Sequence, residues 1–324
     1  MKAIRIHRFG GPEVLSFDDI DIAPPGTNEA RVKTHAVGVN FIDTYHRTGL
    51  YPLGEFPLRL GQEGAGVVEA VGVNVTHVKP GDRVAWGNGV AGSYAEGLNA
   101  PAARLVKLPD TIGFDTAAAA MLKGMTVHML LTRVYPVKAG DTILIHAAAG
   151  GVGLIACQWA KALGATVIGT VGSEEKARLA HANGCDHTIF YRSEDIAARV
   201  REITQGAKLP VVYDSVGKDT LTASLDCLRP RGLFVTFGNS SGPTGPIDPL
   251  VLLQKGSLFM TRPTLQHYVM SSEELQTAAN ALFAMIGSGK VKIAIGQSFA
   301  LADAKLAHEA LHARATTGAT VLLP

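Results

Sequence analysis

Three glycines between a strand-like run and a helix-like run have the spacing in this chain that most directly suggests chemistry. Thr142-Ile143-Leu144-Ile145 is a short apolar run, and Ala147-Ala148-Ala149-Gly150-Gly151-Val152-Gly153 is a small-residue turn. From Leu154 to Leu163 apolar side chains recur four apart at Ile155, Trp159 and Leu163, with Gly164 placed to end a helix. Strand, glycine turn and helix in that order aim the free N–H groups of a helix start at a pyrophosphate. Gly150 and Gly151 let the backbone approach phosphates, and Gly153 lets the helix pack close to the strand. Ala148 stands where the usual GxGxxG pattern has its first glycine. The next segment, 165–170, reads as a second strand and completes a βαβ unit of about 30 residues, which supports a dinucleotide site. A second pattern points elsewhere. His308-Glu309-Ala310-Leu311-His312 matches HExxH, in which two histidines one helical turn apart hold zinc. Only twelve residues follow it and none is His, Asp, Glu or Cys, so the expected reading is a polar face on the terminal helix.

The elements that must hold the glycine turn alternate. Strands are expected over 142–146, 166–171, 187–191, 211–214 and 233–237, with helices near 153–163, 174–182, 194–204 and 219–228, a pattern that means a parallel sheet covered by helices. Before residue 120 the chain instead shows short β-like runs broken by Gly, Pro and Asn, namely 30–39, 64–71, 82–86 and 105–108, as in a small barrel-like β domain. After Pro263 come a helix over 273–286, a β-like piece and a helix over 303–313, a tail too short for a domain and expected to return to the first one. The fold class is therefore α/β, a β-rich domain plus a doubly wound parallel-sheet domain. With 324 residues the chain can build two cores. Its 47% hydrophobic and 18% charged content is that of a soluble globular protein, and its net charge of +2, without a basic run, argues against nucleic acid as a partner. No apolar run approaches membrane-spanning length and the N-terminus is no signal peptide, so the expected location is cytoplasmic. Cys157, Cys185 and Cys227 lie far apart in apolar segments and are expected as small core residues.

Together these features resemble the medium-chain dehydrogenase/reductase superfamily and, within it, the zinc-independent, zeta-crystallin-like quinone oxidoreductases. The resemblance spans essentially the whole chain. It is carried by residues 11–15 (GPEVL), 40–45 (NFIDTY), 49–52 (GLYP), 123–126 (KGMT), the glycine turn, 213–217 (YDSVG), 237–242 (FGNSSG) and 314–316 (RAT). It implies a GroES-like catalytic domain over 1–124 completed by 263–324, a Rossmann domain over 125–262, NADPH as cofactor and a homodimer.

Strand chemistry and resemblance both bear on the cofactor. An NAD enzyme places Asp or Glu at the end of the second strand for the ribose 2′-hydroxyl, but here that strand ends in Thr170-Val171-Gly172-Ser173. A cation and hydroxyls suit a 2′-phosphate, although Glu174 and Glu175 could reach a ribose. By resemblance Gly172, Ser173, Lys176 and Tyr191 form the phosphate site, Gly150, Gly151, Val152 and Gly153 the pyrophosphate site, and Lys123, Thr126, Ser215 and Arg314 further contacts. The nicotinamide is expected in the crevice between the domains. There the resemblance puts Phe41, Ile42, Asp43, Thr44 and Tyr45, with Met129, Phe237, Gly238, Asn239, Ser240, Ser241, Pro263, Thr264 and Leu265. Met129 replaces a residue that is often aromatic in the family.

Zinc-dependent relatives have Cys where this chain has Asn40, His where it has Gln62, and a lobe of four close cysteines that is missing here. Amides do not make a tetrahedral zinc set. Without a Lewis acid, an acceptor that is already electrophilic is favoured. The expectation is a zinc-independent NADPH:quinone oxidoreductase transferring hydride or electrons, in which Tyr51 and Asn40 donate hydrogen bonds to the reduced oxygen. An NADPH-dependent enone or enoyl-thioester reductase, and a crystallin-like structural or RNA-binding protein, remain open alternatives at this point.

Overall fold

The computed structural model describes all 324 residues. The chain divides into two compact units, one of 1–125, 268–288 and 293–324, the other of 126–267 and 289–292. The first begins with β1 (Lys2–Ile6), β2 (Ser16–Asp19) and β3 (Glu29–Val39), followed by the helix α1 (Phe41–Thr48). Then come β4 (Leu58–Arg59), β5 (Glu63–Val71), β6 (Arg83–Trp86), β7 (Gly97–Pro101), β8 (Val106–Lys107) and α2 (Phe114–His128). The β-like runs expected at 30–39, 64–71, 82–86 and 105–108 fall on β3, β5, β6 and β8. Sequence reading missed α1. With eight residues it has a single apolar repeat, Phe41 to Tyr45, and it buries Asp43, Thr44, His46 and Arg47 as well, a polar set that masks the helix in the sequence.

The second unit follows the expected alternation: β9 (Thr142–Ile145), α3 (Gly151–Ala162), β10 (Thr166–Val171), α4 (Glu174–Ala182), β11 (His187–Phe190) and α5 (Ile196–Ile203). It continues with β12 (Leu209–Asp214), α6 (Leu221–Cys227), β13 (Leu228–Thr236), α7 (Pro249–Gln254) and β14 (Phe259–Thr261). The sheet order is β11-β10-β9-β12-β13-β14 and every pairing is parallel. All six carboxyl ends therefore lie on one edge, and order reverses between β9 and β12, the switch point where open α/β sheets take ligands. Leu144, Ile168, Ile189, Val212 and Phe234 pack the core under this edge.

The tail supplies α8 (Ser272–Gly287), β15 (Ile295–Ala300), α9 (Ala304–His312) and β16 (Ala319–Leu323). β16 lies antiparallel to β3, giving the order β15-β16-β3-β5-β6-β8, with β7 also on β3. The return to the first unit is thus made by a strand of its main sheet. All three cysteines are buried and unpaired.

Candidate functional site

In the first unit the candidate residues are organised around a buried carboxylate that was not singled out in the sequence. Glu63, at the start of β5, is fully buried. Its Oε2 accepts from Lys123 Nζ at 2.7 Å and from Asn40 Nδ2 at 2.7 Å, while Oε1 accepts the Leu122 N–H at 2.7 Å. Such a charge is stable away from water only when paired and hydrogen-bonded in this way. The packing permits no side chain at Gly38, where a Cβ would stand 2.1 Å from the Ala118 carbonyl oxygen and 2.2 Å from Glu63 Oε2. Asn40 follows β3 in extended conformation as the cap of α1, and its N–H donates to Asp43 Oδ2 at 2.8 Å. The Asn40 amide also approaches the Gly38 carbonyl at 3.4 Å. Both its hydrogens thus face acceptors of the protein itself.

Asp43 lies entirely below the surface, where Tyr94 donates its hydroxyl to Oδ2 at 2.9 Å and Oδ1 has no partner. Burial pushes its pKa up to about 7, against the Asn40 and Tyr94 hydrogen bonds. These hydrogen bonds tie Asn40 and Tyr94 into the frame of residues 40–45. The network continues into the HExxH pattern. With the Tyr94 hydrogen on Asp43, His308 Nε2–H donates to Tyr94 Oη at 3.1 Å, and the bare Nδ1 accepts from Arg47 at 2.8 Å. A second Arg47 nitrogen reaches His312 Nε2 at 3.1 Å. Here the sequence expectation needs correction, because His308 is fully buried and not on a polar face. Both histidines serve Arg47, a buried cation with no carboxylate in contact. Burial first, then Arg47 and His312, holds the His308 pKa down at about 3.

Tyr51 follows the C-terminus of α1. Its N–H reaches the Tyr45 carbonyl at 3.1 Å and its ring stands edge-on to Tyr45 at 5.3 Å. His46 fixes the same segment: Nδ1–H donates to the Tyr51 carbonyl at 2.7 Å and Nε2 accepts from Gln62 at 2.7 Å. Burial lowers the His46 pKa, which suits this neutral form. Gln62 and Asn40 are therefore both engaged by neighbours within the unit. Nowhere in the chain do three His, Cys, Asp or Glu side chains converge as a metal set.

In the second unit the glycine turn leads from β9 into α3, which begins at Gly151, two residues before the expected start. Gly150 caps it, with no capping side chain and no acidic residue in the first turn. Its first N–H groups have no intrahelical acceptor and present a positive, small-residue cradle suited to a pyrophosphate. A Cβ on Gly153 would stand 2.3 Å from the Ala147 carbonyl oxygen, so only glycine fits there. At the end of β10, Ser173 caps α4 by accepting the Lys176 N–H at 3.3 Å. The Tyr191 hydroxyl lies over Gly172, 2.8 Å from where a Cβ would be. Gly172, Ser173, Lys176 and Tyr191 are thus neighbours. Ser215 and the 237–241 loop are laced together: Ser240 N–H reaches Ser215 O at 3.2 Å and Ser241 N–H reaches Val216 O at 2.8 Å. Pro263, Thr264 and Leu265 follow β14 on the same sheet edge. Thr126 and the buried Met129 lie at the end of α2 and in the π-helical turn Met129–Val134. Arg314 follows α9 in the first unit with a left-handed φ of 55°. Residues 172, 173, 176 and 191 offer donors and a cation for a 2′-phosphate, so the residues present fit NADPH.

Two family models match the chain, the alcohol dehydrogenase GroES-like domain over residues 26–110 and the zinc-binding dehydrogenase family over 151–284. A quinone oxidoreductase of Pseudomonas aeruginosa is 56% identical over 323 residues, covering 100% of this chain and 99% of that protein. The crystal structure of Escherichia coli quinone oxidoreductase complexed with NADPH superposes with a TM-score of 0.99 at 50% identity, covering 100% of both chains. A 2-haloacrylate reductase from Burkholderia is 46% identical, covering 100% of this chain and 99% of that protein.

Proposed function

Because the chain belongs to the quinone oxidoreductases of the medium-chain dehydrogenase/reductase superfamily, we propose that it reduces a quinone with NADPH and without a metal. The observation that carries this reading is the pair of halves described above, a glycine-turn helix start without a carboxylate and a first unit whose zinc positions are amides bound to Glu63 and His46. NADPH supplies the hydride, and with one proton from solvent the quinone becomes a hydroquinone. The start of α3 holds the pyrophosphate, while Ser173, Lys176 and Tyr191 hold the 2′-phosphate. Tyr51 donates a hydrogen bond to the substrate oxygen that gains charge. Asn40, its amide on Glu63, keeps the 40–45 segment in place, a revision of the donor role expected from sequence. We assign the catalytic domain to 1–124 with 263–324 and the NADPH domain to 125–262.

The exposed edge of the parallel sheet supports a homodimer: Phe259 of the edge strand β14 is 62% exposed, and Leu250 and Leu253 of α7, the helix that precedes this strand in the chain, are 56% and 64% exposed. No helix is long and apolar enough to cross a membrane. Three free thiols suit a reducing compartment, and we place the protein in the cytoplasm. The 2-haloacrylate reductase relative favours one second reading, reduction of an activated alkene. A steady-state screen of NADPH oxidation against quinones, enones and enoyl thioesters, with and without EDTA, tests both. Quinones are expected to turn over fastest and EDTA to change nothing. Inert quinones, or a chelator-sensitive rate, would overturn the first reading, and rapid enone turnover alone would establish the second.

A further inference from the structure

Below the cofactor edge of the second unit, five buried polar side chains form one continuous chain linking three loops: the glycine turn, the end of β10 and the 215–217 loop. They are His146, Thr170, Asp214, Thr220 and Ser224, all buried. Asp214, an acceptor only, takes the N–H groups of Val216 at 2.7 Å and Gly217 at 3.0 Å on Oδ1. Its Oδ2 takes the hydroxyls of Thr220 at 2.7 Å and Ser224 at 2.8 Å. Four donors fill the carboxylate. Ser224 has given its hydrogen to Asp214, so its oxygen accepts from His146 Nε2–H at 2.9 Å. His146 Nδ1 is then bare and accepts the Thr170 hydroxyl at 3.0 Å. Thr170 Oγ1 in turn accepts the Ala147 N–H at 3.2 Å, and its carbonyl takes the Ala148 N–H at 3.0 Å. Each hydrogen has one consistent direction, and one deletion leaves buried groups unsatisfied on both sides. Burial keeps His146 neutral despite Asp214, as this direction requires.

The chain ends on a strained residue. Ala147 has a φ of 54°, a left-handed conformation that a residue with a Cβ adopts at a cost. That conformation turns its carbonyl toward the Gly150 N–H at 2.9 Å, closing the turn from which α3 starts. Thr170 holds the N–H of this residue. Resting on the NADPH reading, we propose that Asp214, Ser224, His146 and Thr170 are positioning residues for the cofactor. They hold the glycine turn in its strained shape and keep it in register with the 215–217 loop, so that the pyrophosphate and nicotinamide portions meet a preorganised edge.

The test uses Thr170→Val, which keeps shape and removes the hydroxyl, Thr170→Ser, which restores it, and Ser224→Ala, which cuts the chain in the middle. Binding of NADPH is followed by its fluorescence, and binding of adenosine 2′,5′-bisphosphate, which lacks the pyrophosphate and nicotinamide, by calorimetry. Thr170→Val and Ser224→Ala are expected to weaken NADPH about 10-fold or more and the bisphosphate less than 2-fold. Thr170→Ser should restore binding. In the cofactor-free protein, amide exchange at 147–150 should accelerate in Thr170→Val. A lower melting temperature with unchanged NADPH affinity, or equal weakening of both ligands, would overturn the proposal, and Ser224→Ala decides if Thr170→Val does not fold. Failure of the parent protein to bind NADPH would overturn the cofactor reading first and this inference with it.

Discussion

Replacing Asp43 by Asn should stabilise the protein at alkaline pH and make it more sensitive to acid. The Asp43 carboxyl is raised from 3.8 to about 7 by burial, so the folded protein binds a proton there that the unfolded chain has lost. The stability this provides is fully present below pH 3.8 and is lost as pH rises through about 7. At 1.36 kcal/mol per pH unit, the loss amounts to ~4 kcal/mol by pH 8. His308 acts in the opposite direction. Its pKa falls from 6.5 to about 3, so its contribution is complete above pH 6.5 and declines as pH falls toward 3. Between pH 4 and 6.5 the two slopes cancel. In Asp43→Asn the new side-chain carbonyl oxygen can accept from the Asn40 N–H and the Tyr94 hydroxyl, and the new NH2 replaces an oxygen that has no partner. The variant therefore removes the charge and keeps the hydrogen bonds. Urea unfolding followed by circular dichroism, at pH 4 to 8, compares the two proteins, and groups shared by both drop out of the difference. Asp43→Asn should match the parent near pH 4 and exceed it by up to ~4 kcal/mol at pH 8, losing ~1.4 kcal/mol per pH unit on acidification. A difference that does not change with pH, or a variant less stable at pH 8, would refute the reasoning.

Two further outcomes bear on the site. Lys176→Ala should cost NADPH roughly 1.5–3 kcal/mol of binding and leave NADH nearly unchanged, erasing most of the preference in a titration; equal affinity of the parent for both cofactors would remove the 2′-phosphate site. Tyr51→Phe should lower kcat/KM about 10- to 100-fold at near-native NADPH affinity and melting temperature, whereas a merely packed ring would leave turnover unchanged.

The features legible in the sequence are those whose causes lie a few residues apart. The glycine turn could be read because its constraint is local: the missing Cβ of Gly153 answers the carbonyl of Ala147 six residues earlier. The alternation of strands and helices after residue 125 likewise follows from side-chain periodicity within each element. Boundaries shifted where a cap decided them, as at Gly151. What the sequence left undetermined depends on partners far along the chain. The HExxH histidines were expected on a polar face because both are polar residues one turn apart, yet Arg47, 261 residues from His308, is the partner that holds that ring in the interior. That Asn40 meets a carboxylate is known only once β5 brings Glu63 beside it, and α1, with one apolar pair four apart, was masked by the polar residues it also buries. The chain from Asp214 to Thr170 exists only because parallel pairing sets β9 between β10 and β12. Local pattern determines which elements form, but a buried polar group is placed by partners that only the folded chain brings within hydrogen-bonding distance.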